Sequence, residues 1–490
     1  MEKIKLKWEV IALAVILLIA LGLRLYHIDG YLTFLGDEGR DVRIVRDLLA
    51  GNLVFIGPMT SIGNMYLGPL YYYLMAPALF LSSGSPVGPA VMIALLMTVT
   101  VGLTWSLARS WFGRFPALIA ALLFALSPVA IIYSRSSWNP NPMPFFALIS
   151  IWAIDEVWQK KKFVYLSLAG VSLAAALQMH YLGLLLIPTL GLYWLLTLRA
   201  VWQKPKEKLA LIKHTLIAVL IFFLLMSPLL LFDLKHNAMN FNAFKAFFTD
   251  RQTTINLNPV RSDRFGLIFD QVVSDLILGR AALYPLLVGL ILLIGFVLAV
   301  RQTKNRTAYY LLATWLFFGS LGLIVYKQHV YVHYYGFMYP AIYLFTGISI
   351  SYFLTRRLPF RLFGVALLSW LVYVNIINSP VRLEPNRQLA RTERVVDLII
   401  KESAGAPFNF GLIAKQNYDE SYRYFLENKK ANMIRGEDKV TDQLFVVCED
   451  GDICQAEGNP AYQVAIFGIA KTVNEWRLDG IRIYRLVHKI

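Results

Sequence analysis

The chain has 490 residues, of which 57% are hydrophobic and only 16% are charged, and its formal net charge at pH 7 is +16. Soluble globular proteins carry about 25% charged residues, so this composition excludes a soluble chain and predicts a membrane protein. The positive charge lies in short loops between apolar runs, and it therefore requires no nucleic-acid partner.

About eleven apolar runs are long enough to cross roughly 30 Å of hydrocarbon as helices. The first run follows a basic start and has no small-residue cleavage site after it, so we interpret it as a retained signal anchor rather than a signal peptide. The predicted spans cover residues 10–26, 86–108, 115–133, 143–158, 163–178, 182–198, 213–232, 281–300, 308–326, 336–354 and 361–379. We expect them to form an all-α polytopic transmembrane domain over residues 1–380.

Basic residues predict how these spans are oriented. The loops that share a side with the N-terminus carry most of the basic residues, namely Arg109, Arg114, Lys160, Lys161, Lys162, Arg199, Lys204, Lys206, Lys208, Arg301, Lys304, Arg306, Arg356 and Arg357. The short loops on the other side carry only Arg135 and Lys327. Because cytoplasmic loops are enriched in Lys and Arg, we expect a cytoplasmic N-terminus and an extracytoplasmic C-terminal domain, in a cell inner membrane.

Two long segments between the spans are predicted to lie outside the bilayer. The first outer loop covers residues 27–86 and contains an amphipathic pattern over Asp41–Leu49, which predicts an interfacial helix. The Tyr-rich stretch Met65–Leu81 is long enough to be a span, but counting it as one would invert the charge of every later loop. We therefore place it in the interface as well. The second long loop covers residues 233–280, and we expect one or two short surface helices there.

The C-terminal residues 381–490 are predicted to form a small α/β domain. Helical spacing over Thr392–Glu402 indicates a helix. The predicted strands cover Phe408–Ala414, Gln443–Cys448, Gln463–Ile469 and Ile481–Val487.

Cys448 and Cys454 are the two cysteines of the chain. In an oxidising outer compartment they can form a short-loop disulfide or remain as free thiols, and we expect the disulfide. Two cysteines alone do not complete a tetrahedral zinc site.

The most distinctive polar feature is the acidic cluster at 36–41, with the sequence Gly-Asp-Glu-Gly-Arg-Asp, directly after the first span. Asp37 and Asp41 are spaced i, i+4 and would share a helical face. A carboxylate at this depth can act as a general base toward a hydroxyl, and a neighbour can hold a metal or an acceptor. The structural alternative is a helix N-terminus, where acidic residues are favoured.

With this cluster, the sequence resembles the GT-C glycosyltransferases, and among them the protein O-mannosyltransferases and lipid A aminoarabinose transferases. The long first outer loop and the Pro-Leu-Tyr-Tyr segment belong to the same resemblance. The family's Asp-Glu-x-Arg pattern matches Asp37, Glu38 and Arg40. The resemblance implies that Asp37 or Glu38 is catalytic, and that Arg40 contacts the phosphate of a dolichyl- or undecaprenyl-phosphate sugar donor.

The sequence departs from this family at two places. Aminoarabinose transferases carry Lys-Pro-Pro-Leu-x-Tyr in the first loop, whereas this chain has Leu-Gly-Pro-Leu-Tyr-Tyr over residues 67–72, without the phosphate-binding lysine. In the second outer loop, a neutral Asn141 stands where the family often has an aspartate. The cofactor is therefore unknown, and a divalent metal stays an open expectation, with Asp41, Asn141 and His180 as candidate metal or acceptor ligands.

Further polar groups are predicted on the same outer face. Arg135 can bind a phosphate through two hydrogen bonds or extend to lipid headgroups. His180, at a membrane boundary, is either an interfacial anchor or a ligand. The loop at 326–335 combines one lysine with two histidines and four tyrosines, so we expect it to bind the donor phosphate rather than only to form an aromatic belt. The candidate ligands in that loop are Lys327, His329, His333 and Tyr334.

These features favour an enzyme that transfers a sugar, with inversion, from a polyprenyl-phosphate donor to a lipid, glycan or protein acceptor on the outer face. No phosphate-binding P-loop, dinucleotide-binding glycine pattern or His-Glu-x-x-His motif occurs. The alternatives are a flippase of lipid-linked saccharides and an envelope protein whose C-terminal domain binds a ligand. Transporters usually place ionisable groups at the membrane midplane, and the spans contain few of them.

Overall fold

The computed structural model describes residues 2–60, 65–249, 263–281, 284–326, 329–450 and 454–489. Before residue 380 the described elements are helices: α1 (Glu2–Leu25), α2 (Ile28–Tyr31), α3 (Gly36–Leu49), α4 (Leu70–Leu81), α5 (Val87–Phe112), α6 (Arg114–Leu126), α7 (Pro128–Tyr133), α8 (Met143–Lys160), α9 (Tyr165–Met179), α10 (Ile187–Val201), α11 (Pro205–Lys235), α12 (Met239–Thr249), α13 (Asp263–Val272), α14 (Pro285–Gln302), α15 (Thr307–Val325), α16 (Tyr339–Leu354) and α17 (Leu358–Ile377). Short helical turns cover Tyr181–Leu186, Val273–Ile277, Val332–Met338 and Pro380–Arg382.

Each predicted span overlaps at least one helix, and the span predicted at 115–133 falls on two, α6 and α7. Eight helical segments are long and apolar enough to cross a membrane: Lys7–Leu25, Val87–Phe112, Tyr181–Val201, Pro205–Lys235, Pro285–Gln302, Thr307–Val325, Val332–Leu354 and Leu358–Ile377. The three other predicted spans coincide with α6, α8 and α9, of which α6 and α9 are shorter apolar helices. At about 1.5 Å per residue, the 12-residue helix α4 is too short to cross the hydrocarbon. The protein is therefore a multi-pass membrane protein.

The predicted continuous helix over 115–133 is wrong, because the chain breaks between α6 and α7 at Ser127. Pro128 has no N–H to continue the helix, and the Ser127 side chain caps α7 by accepting the Ala130 N–H. Arg24 of α1 is fully buried beside this break. Its guanidinium donates to the carbonyl oxygens of Phe124 (3.3 Å) and Ala125 (3.2 Å) at the end of α6. A buried cation thus satisfies the last carbonyls of a broken transmembrane helix.

Replacing Arg24 by leucine is expected to lower the thermal stability of the purified protein. The substitution leaves two buried carbonyl oxygens without a donor, and each such group costs about 1–3 kcal/mol. Thermal unfolding in detergent measures the effect. Arg199→Leu is the matched control because Arg199 is exposed near the end of α10. An equal shift in both variants would show that the Arg24 contacts do not stabilise the break.

Residues 381–490, which we call the tail, contain α18 (Gln388–Glu402), β1 (Asn409–Ile413), α19 (Glu420–Asn428), β2 (Gln443–Cys448), α20 (Tyr462–Phe467), β3 (Ala470–Leu478) and β4 (Ile481–His488). The strands form one sheet in the order β1-β2-β4-β3. β1 and β2 are parallel, with Asn409 opposite Leu444, and the other pairs are antiparallel. The tail is therefore the small α/β region that the sequence predicts.

One predicted strand of the tail is wrong. Residues Gln463–Ile469 do not form a strand, because most of this segment belongs to α20, whose Val464 and Phe467 are buried at helical spacing. Gly468, at φ +88°, ends the helix. The strand begins at Ala470, and its residues are mostly exposed or only partly buried. An edge strand of this kind lacks the apolar alternation by which strands are predicted.

The tail packs directly on the first outer loop through α19 and α3. The predicted amphipathic helix exists, but it begins at Gly36 rather than at Asp41. Its basic face pairs with acidic residues of α19: Arg43 lies 2.7 Å from Glu420, and Arg46 lies 2.7 Å from Glu427. An interfacial helix would present these arginines to lipid headgroups. Here they bind acidic residues of the tail instead.

Candidate active site

A cavity of about 290 Å³ lies where three parts of the chain meet. The start of α3 and the residues before it form one wall, the end of α7 and the chain after it form the second, and the loop between β1 and α19 forms the third. The lining residues are Thr33, Leu35, Gly36, Asp37, Glu38, Ile132, Tyr133, Ser136, Trp138, Gln416, Asn417 and Tyr418. The cavity thus contains both predicted catalytic carboxyl groups.

Asp37 is the accessible carboxylate of this cavity, with 40% of its side chain exposed. One of its oxygens accepts a hydrogen bond from the Arg40 guanidinium at 2.7 Å and another from the Tyr418 hydroxyl at 2.6 Å. These donors fix the orientation of the carboxylate. A carboxylate that is held in place and accessible can accept a proton from a bound hydroxyl.

Arg40 lies between two carboxylates rather than facing an open space. Besides Asp37, it pairs with Asp41 at 2.7 Å, and the Asp41 side chain is fully buried. Although burial alone would lower it, the charge of Asp41 and the other neighbours raises the pKa of Arg40. Burial raises the pKa of Asp41 to about 6, against the effect of Arg40. Arg40 therefore positions Asp37, and its predicted contact with the donor phosphate stays a prediction.

Glu38 is buried and serves as a helix cap. Its carboxyl oxygen accepts the backbone N–H of Leu35 at 3.0 Å, which is the structural alternative that the sequence left open for this cluster. Burial raises the pKa of Glu38 to about 8, so the neutral acid predominates at neutral pH. A neutral acid is a poor base. Of the two predicted catalytic residues, the geometry therefore favours Asp37.

The tail supplies the third wall through Asn417 and Tyr418. Asn417 accepts the backbone N–H of Gly36 at 2.8 Å. Two glycines of α3 permit this approach: a Cβ atom on Gly36 would lie 2.4 Å from the Tyr418 ring, and one on Gly39 would lie 2.3 Å from the backbone nitrogen of Ser421. Larger side chains at these positions would force the tail away from the cavity.

The predicted cysteine pair lies behind this wall. Cys448 and Cys454 are joined as a disulfide, with their Cα atoms 6.1 Å apart. Glu449 follows at the end of β2, where it accepts hydrogen bonds from Asn417 at 2.9 Å and from Tyr422 at 2.6 Å. The cross-linked end of β2 thus holds the loop that contacts Gly36.

Arg135 lies just outside the cavity, between the lining residues Tyr133 and Ser136 in the chain. Its guanidinium stacks on the Tyr31 ring at 4.0 Å and donates to the Tyr26 carbonyl. Among the described residues, its Nε and Nη1 atoms are buried without a hydrogen-bond partner. Burial lowers the pKa of Arg135 to about 10. A buried cation with unused donors is suited to an anion, so the predicted phosphate contact remains open for this residue.

The predicted histidines and tyrosines form an aromatic cluster next to the cavity. The His333 ring lies 4.5 Å from Trp138, 5.7 Å from His180 and 4.7 Å from Tyr334. His180 accepts the Leu182 N–H through Nδ1, and burial keeps the pKa of His180 well below its usual range.

The two remaining candidate ligands of the 326–335 loop, His329 and Lys327, are not part of that described cluster. His329 is exposed, with its ring 4.6 Å from Tyr331. Lys327 lies outside the described residues.

The candidate metal ligands do not assemble into an evident metal centre. Asn141 donates to the Ser136 carbonyl at 2.8 Å and so braces the second outer loop. Asp41 is engaged with Arg40, and His180 uses one ring nitrogen for a backbone N–H. Within the described ranges, no three His, Cys, Asp or Glu side chains converge on one point. The oxygen atoms Asn141 Oδ1 and Asp41 Oδ2 are buried without a hydrogen-bond partner in the described part of the chain. A divalent metal therefore stays an expectation from the sequence.

Sequence reasoning missed the contribution of the tail to the cavity. Gln416, Asn417 and Tyr418 follow the carboxyl end of a predicted strand, where functional loops often lie. That signal marks a possible binding loop. It does not indicate that the loop faces Asp37, because Tyr418 and Asp37 are 381 residues apart in the chain.

Comparisons with known proteins agree with this architecture. The family model for dolichyl-phosphate-mannose-protein mannosyltransferase matches residues 67–232, about a third of the chain. The structure of ArnT from Cupriavidus metallidurans bound to undecaprenyl phosphate is similar, with a TM-score of 0.63 at 13% identity, covering 98% of each chain. The chain has the GT-C fold. This finding confirms the predicted resemblance to GT-C glycosyltransferases.

A second GT-C structure covers most of the chain as well. The archaeal oligosaccharyltransferase AglB from Archaeoglobus fulgidus, in complex with an inhibitory peptide and a dolichol-phosphate, has a TM-score of 0.54 at 13% identity. The similarity covers 91% of this chain and 70% of that chain. Among curated proteins, none matches the chain. The segment of the GT-C fold that the family model matches contains Arg135, Asn141 and His180, whereas Asp37 lies before it.

Proposed function

We propose that this chain is a membrane glycosyltransferase that transfers a sugar from a polyprenyl-phosphate donor to a lipid, glycan or protein acceptor. The observation that carries the proposal is the accessible Asp37 carboxylate, held by Arg40 and Tyr418 in a cavity of a GT-C fold. Relatives of this fold hold undecaprenyl phosphate or dolichol-phosphate, which supports a lipid-phosphate donor here.

The proposed reaction is a single displacement at the anomeric carbon of the donor sugar. The acceptor hydroxyl forms the new C–O bond and gives its proton to Asp37. The bond to the donor phosphate breaks at the same carbon, and the phosphate leaves with the electron pair. This displacement inverts the configuration. Arg135 supplies buried, unused N–H donors close to the cavity, which can stabilise the charge of the leaving phosphate.

We also propose that the cavity opens to the extracytoplasmic side of the inner membrane, with residues 1–380 as the transferase domain and residues 381–490 as an outer domain that completes the cavity. The distribution of basic loops supports this orientation. Nucleotide sugars are not available on that side, so a lipid-linked donor fits the same placement.

An assay in oriented membrane vesicles tests both the transferase function and the side of the membrane to which the cavity opens. Right-side-out and inverted vesicles containing the protein receive a radiolabelled polyprenyl-phosphate sugar, and the label is followed into lipid, glycan and protein fractions. Transfer is expected in right-side-out vesicles, with release of polyprenyl phosphate. Passage of the intact donor across the membrane without loss of its sugar would instead support the flippase alternative. If a panel of donor sugars gives neither transfer nor passage, both the transferase proposal and the flippase alternative are contradicted.

A further inference from the structure

A second polar cavity lies at the end of the helix bundle opposite Asp37. The chain from Arg114 to Tyr133 crosses the bundle through α6 and α7, and Tyr133 lines the Asp37 cavity. At about 1.5 Å per residue, this length corresponds to roughly 30 Å, the thickness of the hydrocarbon. Arg114 is at the start of α6 and Arg356 follows α16, so both lie at the opposite membrane boundary. The cavity that they line has a volume of about 430 Å³.

The lining of this cavity is basic and contains no acid. Besides Arg114 and Arg356, it includes the polar side chains of Gln302, Thr303, Ser351 and Thr355. No Asp or Glu lines it, and in the described part of the chain no carboxylate pairs with either arginine. The two guanidinium groups instead stack on aromatic rings, Arg114 at 4.7 Å from Phe115 and Arg356 at 4.4 Å from Tyr352.

Two details indicate an anionic ligand rather than two arginines exposed to solvent. The Nε atom of Arg356 is buried, and among the described residues it has no hydrogen-bond partner. The cavity also contains the start of α6, where backbone N–H groups and the helix dipole favour negative charge. Guanidinium groups match the geometry of phosphate oxygens and bind them through paired hydrogen bonds.

The surroundings point to a lipid as the source of the phosphate. Phe115 lines the cavity and is 45% exposed, and Leu358 and Phe360 are exposed at the start of α17 at the same boundary. Apolar side chains exposed beside a basic cavity fit acyl chains that continue from a bound headgroup. We propose that Arg114 and Arg356 form a binding site for the phosphate headgroup of an anionic phospholipid, on the face of the bundle opposite the Asp37 cavity.

The test is lipid binding to the purified full-length protein, followed by native mass spectrometry and by thermal unfolding in detergent. Phosphatidylglycerol is expected to bind and to raise the unfolding temperature more than phosphatidylethanolamine. The double variant Arg114→Gln/Arg356→Gln is expected to bind phosphatidylglycerol about tenfold more weakly, because the hydrogen bonds from both guanidinium groups to the headgroup phosphate are lost. The control Arg301→Gln/Arg357→Gln removes the same charge from exposed positions outside the cavity and is expected to bind normally.

Three results would overturn the proposal. Equal weakening in both double variants would assign the binding to general basic charge. Inorganic phosphate that stabilises the wild-type protein as much as the lipid does would assign the cavity to a free anion. Wild-type protein that shows no preference for phosphatidylglycerol would remove the site, and this measurement does not depend on the folding of any variant. Sugar transfer is not a readout here, so a failure leaves the proposed transferase function untouched.

Discussion

Replacing Asp37 by asparagine is expected to lower sugar transfer by about 10²–10⁴-fold per folded molecule, the usual loss when a general base is removed. Asparagine has nearly the same shape and can still accept hydrogen bonds from Arg40 and Tyr418 through its carbonyl oxygen. It cannot take up the proton of an acceptor hydroxyl. The variant should therefore fold and bind donor while turnover falls, measured with a radiolabelled polyprenyl-phosphate sugar in the vesicle assay.

Glu38→Gln is the matched control for this prediction, because the two acids are adjacent and line the same cavity. Glutamine keeps the carbonyl oxygen that accepts the Leu35 N–H. The buried Glu38 is largely neutral at neutral pH, since its pKa is raised to about 8, so an uncharged amide replaces an uncharged acid. We expect Glu38→Gln to retain most of the turnover.

The opposite pattern would assign the base to Glu38. In that case Glu38→Gln would be inactive, and the wild-type rate would rise with pH until the buried acid is ionised, with a midpoint near pH 8. Near-normal turnover in both variants would end the proposal that either carboxyl group is the catalytic base. Loss of a structural cap alone lowers stability by about 1 kcal/mol and spares the activity of the molecules that fold.

Replacing Gly39 by alanine is expected to lower turnover by about 10²-fold, the scale of loss when catalytic groups are displaced by about 1 Å. The new methyl group would lie 2.3 Å from the backbone nitrogen of Ser421, and backbone cannot move aside as a flexible side chain does. The start of α19 must then shift, and the hydrogen bond from Tyr418 to Asp37 is lost with it. Turnover per folded molecule measures the effect.

Gly22→Ala provides the control for Gly39→Ala. Gly22 also lies inside a helix, and a Cβ atom there meets nothing within 4 Å. Helix propensity alone predicts that alanine stabilises both helices by up to about 1 kcal/mol. Gly22→Ala is therefore expected to be at least as stable as the wild-type protein and equally active, whereas Gly39→Ala loses turnover because of the contact with Ser421. If Gly39→Ala is equally active, the packing of the tail on α3 does not support the cavity.

The sequence predicts the transmembrane part well because each span is a local signal. A run of apolar residues must become a helix in hydrocarbon, where every backbone N–H and C=O group needs a partner within the segment. The break at Ser127 was missed because both halves are apolar, and only Pro128 marked it. The acidic cluster was recognisable because three carboxyl groups within five residues at a membrane boundary are unusual as packing residues.

The completed cavity could not be predicted in the same way. The side chains of Asn417 and Tyr418 reach α3 only because α19 docks there, and no local pattern encodes that docking. Gly36 and Gly39 belong to the acidic cluster at 36–41. A glycine in a sequence does not show which other part of the chain packs against it. The charge pairs of Arg43 and Arg46 with α19 likewise looked like the polar face of an interfacial helix, since an arginine can bind an acidic helix or a headgroup.

The dependence of the cavity on Tyr418 also imposes an order on synthesis. Asp37 leaves the ribosome 381 residues before the hydroxyl that holds it, which at about 5–20 residues per second means a delay of roughly 20–75 s. During that time the spans can insert, but the carboxylate has only Arg40 as a partner. A chain interrupted anywhere before the tail would be a membrane protein with an open, unfinished pocket. Competence for transfer would then be acquired only after the segment around Tyr418 has been made and has docked on α3.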